Sequence, residues 1–241
     1  MARSKSGRVM APRTDATLPE FDRLTTGRTD LTSVVYEHLK ARIMDLTLEP
    51  ETPLRIDVIA RQVGVSPTPV REALLRLAAD ELVTKRGARG YFTNPVITRA
   101  EFEDLWEFRL AVEPWAAALA ARRATAADIA GLREEVAHPA GLGRTMDLST
   151  YRAMQEHDQR FHELVFRVAG NATAADAFRR TRTHLRTFRI RMAAELGDPA
   201  LREHDTVARA IADGDPEAGA EAMRRHLTSS RDRLLPFVSD A

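Results

Sequence analysis

Apolar residues recur at helical spacing along most of this chain. Leu31, Val35, Leu39, Ile43 and Leu46 keep that period after Thr29 and Asp30, either of which can cap a helix over 31–46. The run Thr47-Leu48-Glu49-Pro50-Glu51-Thr52-Pro53 breaks it. Ile59 and Val63 mark a short helix over 56–63, closed by Gly64. Val70, Leu74, Leu77 and Ala78 mark one side of a third helix, from Ser66 to about Asp80, and Thr68, Arg71, Glu72 and Arg76 fall mostly on the other. Ser66 offers a capping hydroxyl, Pro67 brings a helical φ to the first position, and Pro69 still lies in the first turn. Leu82-Val83-Thr84 and Gly90-Tyr91-Phe92-Thr93 instead read as two short strands around the basic turn Lys85-Arg86-Gly87-Ala88-Arg89. Three helices followed by a basic hairpin predict a winged helix-turn-helix over residues 30–95, with the third helix placed to enter a major groove.

After Asn94-Pro95 the periodicity is helical throughout, so the chain is mostly α. A long helix from Arg99 to about Arg123 buries Phe102, Leu105, Trp106, Val112, Ala116 and Leu119, with a kink expected at Pro114. Thr125 caps a helix over 126–137, and a Gly-containing loop from His138 to Ser149 follows, with His138 exposed in it. An Arg-rich helix runs from about Thr173 to Glu195, and a tail closes the chain at 236–241. Residues 1–29 are polar and aperiodic and read as a disordered, solvated tail.

Length and composition narrow the picture. The 241 residues suffice for two domains. There is no cysteine, hence no disulfide framework and no thiolate metal site. No secretory signal or membrane-length apolar run is present, so a soluble, cytoplasmic protein with no membrane partner is expected. Net charge is +1, but residues 1–95 carry 15 Lys and Arg against 12 Asp and Glu, and residues 96–241 carry 21 against 23. This weak asymmetry agrees with an N-terminal half that meets DNA without requiring it.

The second half holds the candidate chemistry. Arg109 and Glu113 lie on the buried stripe of the long helix, where charges are costly unless paired. Two readings stand: a structural i,i+4 ion pair, or Arg109 reaching into a cavity to hold an anion with its planar fork. Asp158 and His162, also four apart, project from one helix face and can share a metal, although a hydrogen-bonded pair is the commoner use of that spacing. Glu203-His204 opens another helix, Asp213-Gly214-Asp215-Pro216 is a turn, and His226 lies on the helix after it. In an antiparallel hairpin His204 and His226 both stand about 15–18 Å from the turn, at one height. A neighbouring Asp158 helix would let Asp158, His162, His204 and His226 converge. Three imidazoles and a carboxylate suit a divalent ion: zinc, nickel, manganese or iron. Open positions on such an ion would accept a small carboxylate, with Arg109 at its other end. His157 lies about 100° from Asp158 on the helix and is expected to face solvent. His184 is expected to be a plain polar neighbour of the cavity.

Two resemblances sharpen this reading. Leu54, Ile59-Ala60, Val63-Gly64-Val65-Ser66, Thr68-Pro69-Val70-Arg71-Glu72-Ala73-Leu74, Leu77 and Gly90 resemble the DNA-binding domain of the GntR family of bacterial transcription regulators. The resemblance implies operator contacts from Ser66, Thr68 and Arg71. Arg55 nearby and Arg86 and Arg89 of the wing join them as candidates. Pro67 and Asp57 stand where that family usually carries basic residues, which shifts readout toward Arg71. Asp158-x-x-x-His162, Glu203-His204, Ala210-Ile211, Gly214-Asp215, Ala218 and Met223-x-x-His226-Leu227 resemble the FCD effector domain of the FadR branch of that family. Arg109 with Glu113-Pro114, and Gly170-Asn171, fit the same pattern. This implies an antiparallel all-helical bundle over 96–235, a divalent metal (zinc foremost) on the four residues, and a small carboxylate effector.

The function expected is therefore a ligand-responsive regulator, not an enzyme. It would act as a homodimer on a double-stranded DNA operator and repress until its effector binds. The alternatives are a metal-dependent enzyme using the three histidines and the aspartate, or a regulator whose metal is purely structural.

Overall fold

The computed structural model describes residues 30–137, 148–193 and 198–238. The tail over 1–29, most of the loop that begins at His138, and residues 239–241 lie outside them. The chain divides into two compact units, Met1–Pro95 and Val96–Ala241.

The first unit is built from α1 (Leu31–Met44), β1 (Pro53–Leu54), α2 (Ile56–Val63), α3 (Pro67–Ala79), β2 (Val83–Lys85) and β3 (Tyr91–Thr93). Asp30, not Thr29, caps α1, accepting from Thr32 N. Gly64 ends α2 in the left-handed region that favours glycine. Val35, Leu39 and Ile43 of α1, Ile59 and Val63 of α2, and Val70, Leu74 and Leu77 of α3 close a common core under the sheet residues Leu54, Val83 and Tyr91. The antiparallel sheet has the order β1-β3-β2, with Leu54 opposite Tyr91 and Thr84 opposite Phe92. β1 begins at Pro53, the last residue of the stretch that breaks the first helix, where no strand is expected. Two residues are too few to show alternation, and only pairing with β3 makes them a strand. The wing is closed by a 3-10 turn, Gly87–Arg89, under a hydrogen bond from Arg86 N to Gly90 O.

The second unit contains α4 (Arg99–Arg123), α5 (Ala126–Ala137), α6 (Leu148–Ala169), α7 (Ala172–Arg180), α8 (Thr183–Ala193), α9 (Asp198–Ala212) and α10 (Pro216–Leu234). Thr98 and Glu101 form a reciprocal capping box at the start of α4, which then runs through Pro114 as one helix. α10 lies against α4 and α9, and α6 against α4 and α5. Their shared core includes Ala117, Ala120, Phe161, Val165, Val207, Ile211, Met223 and Leu227. A second cluster joins Phe102, Leu105, Trp106, Ile190 and Leu234.

Three expectations change here. The single Arg-rich helix is two. Arg182 adopts φ +49°, and the Thr181 hydroxyl bonds Phe178 O and the Thr183 hydroxyl, so the chain turns between α7 and α8. Glu203 does not open α9 but sits inside it, because the helix already starts at Asp198. The expected C-terminal tail begins instead with a 3-10 turn, Leu235–Phe237, and Val238 is buried against the second cluster.

Candidate metal centre and nucleic-acid interface

α6 presents Asp158 and His162 one turn apart, and the α9–α10 hairpin adds His204 and His226. The hairpin turns at Gly214, φ +67°, and Asp215 caps α10 by accepting from Glu217 N and Ala218 N. One donor atom from each of the four residues lies within 4.8 Å of every other, and all four are buried. Nε2 of His226 stands 3.3 Å from Nε2 of His162 and of His204. Asp158 Oδ1 stands 3.9 Å from His162 Nε2 and 3.8 Å from His204 Nε2. Metal–nitrogen bonds of about 2.0–2.1 Å hold neighbouring donors about 3.0–3.4 Å apart, so the imidazole spacing fits a metal.

The outward faces of the rings fix their protons. His226 Nδ1 is 2.8 Å from Glu203 Oε2, and Arg233 holds both oxygens of that carboxylate at 2.7 and 2.8 Å. His162 Nδ1 is 2.5 Å from Glu113 Oε2. His204 Nδ1 is 2.9 Å from His157 Nε2, whose own Nδ1 is 2.8 Å from Glu135 Oε1. An ionised carboxylate only accepts, so His226 and His157 each carry their proton on Nδ1, and so does His162, whose Nε2 faces the Arg109 Nη2 donor at 3.3 Å. His157 Nε2 is then the acceptor, and His204 donates to it. The three Nε2 lone pairs are left turned toward one another and toward a carboxylate oxygen, and that of His162 also faces the Arg109 guanidinium. Such a buried set is costly without a cation among its members, and it matches the outer-shell pattern of metal-binding histidines.

Electrostatics agree. Burial, with the neighbouring imidazoles, pushes the His204 pKa well below the usual histidine range. Burial also lowers that of His226 to about 4, against the pull of Glu203. Burial opposes ionisation of Glu113 and of Glu203, yet both are held at about 2: Glu113 by Arg109 and His162, Glu203 by His226 and Arg233.

Arg109 is fully buried. Its Nε donates to Glu113 Oε1 at 2.5 Å, so the structural ion pair is real. One terminal nitrogen, Nη2, lies 3.3 Å from His162 Nε2, and Nη1 has no hydrogen-bond partner among the described residues. The guanidinium also borders a narrow cavity with Asp158, His162, Thr183 and His184. His157 is not solvent-facing. α5 packs against both α6 and α9 and covers that side of α6, leaving His157 about 1% exposed. The sequence reading also missed Glu135 and Glu203. Their only signal was a carboxylate one residue from a ligand at 203, and at 135 there was none.

In the first unit Ser66, Thr68 and Arg71 are exposed together around the first turn of α3. Ser66 makes no side-chain cap. An N-cap hydroxyl bonds the N–H of the second or third helical residue, and the third is Pro69, which has none. Glu72 and Arg76 face α1 instead. Glu72 accepts from the Thr32 hydroxyl at 2.8 Å, and Arg76 bonds Ser33 at 2.9 Å and lies over the Tyr36 ring. Arg86 is held by both oxygens of Glu51 at 2.6 Å and lies over Phe92. Arg55 meets Asp57 at 3.4 Å, and Arg89 is exposed on the wing. No helix among the described residues is long and apolar enough to cross a membrane.

Comparison with known proteins agrees with this layout. The model of bacterial regulatory proteins of the gntR family matches residues 31–92, and that of the FCD domain matches residues 104–229. An HTH-type transcriptional regulator from an unstable DNA locus of Streptomyces ambofaciens is 30% identical over 87% of each chain. The Escherichia coli transcriptional repressor RspR is 27% identical over 80% of this chain and 84% of its own. Among solved structures, E. coli McbR superposes with a TM-score of 0.61 at 20% identity, covering 86% of this chain and 98% of its own, which shows a shared fold. The two matched segments, in order along one chain, place this protein in the GntR family as a regulator with an FCD domain: it binds DNA to control transcription and is not an enzyme.

Proposed function

We propose that this regulator is a ligand-responsive repressor whose helical unit holds a divalent metal on Asp158, His162, His204 and His226. The observation that carries this reading is the inward convergence of three Nε2 atoms and Asp158 Oδ1, with the Nδ1 atoms of His226 and His204 hydrogen-bonded outward. Zinc suits the donor set best, with nickel, manganese and iron as alternatives. When bound, the ion supplies positive charge and open positions for an anion. Arg109 offers the second attachment, because its buried Nη1, beside the cavity, lacks a partner among the described residues. A small carboxylate effector fits between these two charges.

Ser66, Thr68 and Arg71 read the operator as the start of a recognition helix, and Arg55 and Arg89 hold phosphates beside it. Arg86 would have to exchange Glu51 for a phosphate and contributes less. One short helix reads few base pairs, so the protein acts as a homodimer on paired half-sites. The repressor named among the relatives favours repression relieved by the effector. The effector works only through unequal affinity for the DNA-bound and released forms.

Metal analysis of the purified protein, a thermal-shift screen of small carboxylic acids and operator-binding titrations test this together. Stoichiometric metal, a stabilising acid and weaker operator binding in its presence are expected. Metal without any responding acid would leave a structural ion. His204→Ala combined with His226→Ala should abolish metal uptake, and undiminished metal would refute the site. Arg71→Ala should cost about 1–3 kcal/mol of operator discrimination while leaving metal content intact.

A further inference from the structure

His157 spans three helices. It sits on α6, its Nε2 meets His204 of α9 at 2.9 Å, and its Nδ1 meets Glu135 of α5 at 2.8 Å. Arg160, one turn on, closes the far side of Glu135 at 3.0–3.3 Å. The ring lies 5.1 Å from that of His204, and Phe161 stacks on His204 at 4.1 Å, so His204 is hemmed on two sides. His162 and His226 each have a carboxylate on Nδ1 directly. His204 alone of the three reaches its carboxylate through a second imidazole. A buried imidazole whose two nitrogens are both committed is costly to assemble unless the arrangement serves the group it holds.

We propose that His157 and Glu135 are a positioning pair for His204, fixing its proton on Nδ1 so that Nε2 points into the metal centre. This rests on the metal reading above. His157 touches no metal itself. It accepts from His204, passes its own Nδ1 proton toward Glu135, and thereby ties α5 to the centre.

The test uses the full-length protein, stripped of metal and titrated with zinc against a chromophoric chelator. His157→Phe keeps a ring but removes the acceptor, and His157→Gln restores one through its amide oxygen. His157→Phe should weaken zinc binding about 10–100-fold, and His157→Gln should recover most of that. Nitrogen-15 spectra of the imidazoles provide a readout that packing alone would not move. His204 should be a single Nδ1–H tautomer in the wild type and His157→Gln, and a mixture in His157→Phe. Should His157→Phe not fold, Glu135→Ala tests the outer end of the pair, with a smaller expected weakening of roughly threefold to tenfold. Wild-type protein that takes up no zinc would overturn the metal reading. Wild type that binds zinc, with variants that bind it equally and keep the His204 tautomer, would overturn the positioning role alone.

Discussion

At Ser66 a single residue carries two explanations, a helix cap and an operator contact, and the structure speaks against the first. A serine before a helix ordinarily stabilises it by about 1 kcal/mol through its hydroxyl. Here Pro69 removes one of the two N–H groups that hydroxyl could reach, and no cap forms. The hydroxyl is exposed beside Thr68 and Arg71, free to meet a phosphate or a base edge. Ser66→Ala should therefore shift the urea midpoint by less than about 0.5 kcal/mol equivalent yet weaken operator binding several-fold. A loss near 1 kcal/mol with unchanged binding would return Ser66 to a capping role. The same scale shows why the four converging residues were legible and their supports were not. Asp158 and His162 share a helix face by spacing, and His204 and His226 share a height across the Gly214 turn, so arithmetic gives the two pairs, and the FCD resemblance joins them. His157 and Glu135 meet only because α5 covers α6, a tertiary fact with no local pattern.

Elements met a similar boundary. Helices such as α1 and α4 follow from periodicity, because apolar residues recur along them at helical spacing. The turn between α7 and α8 does not, since it rests on one residue at φ +49° and on threonine hydroxyls that compete with the helix. Contact between α4 and α10 depends on a glycine that periodicity treats as neutral. A Cβ placed on Gly219 would lie 3.3 Å from Ala117 O and 3.6 Å from Ala117 C, both backbone atoms of α4. The backbone of a buried helix yields little, so larger side chains there must push the two helices apart. Gly219→Val should cost about 1–3 kcal/mol, as overpacking does, and should loosen the centre to which α10 contributes His226. Chemical denaturation combined with zinc titration would show both. Unchanged stability would mean that the α4–α10 spacing is looser than described.

Across the whole molecule, charge was gathered in the helical unit on terms that make it sensitive to acid. His226 titrates near 6.5 when unfolded and near 4 in the fold, and His204 is lowered still more firmly by burial. Between those values the unfolded chain binds protons that the metal-free fold refuses, so stability rises with pH across the interval. The histidine contribution is present above about 6.5 and is lost as the pH falls toward 4. Glu113 and Glu203 act later and in the same direction. Their carboxyls are held at about 2 against an unfolded value of 4.5, so their contribution is present above 4.5 and lost below it. Acid should therefore weaken the metal-free protein in two stages. The first is on the order of 3 kcal/mol from His226 alone by about pH 4. Trp106 and Trp115 both lie on α4, so tryptophan fluorescence follows the helical unit without interference from the first. Urea unfolding of the metal-free protein at about pH 7.5, 5.5 and 4.5 should show a steadily falling midpoint, with the first loss appearing below about 6.5. A midpoint that stays level down to pH 4.5 would mean that His204 and His226 are not held neutral in the fold. Their lone pairs would then not be available to a metal.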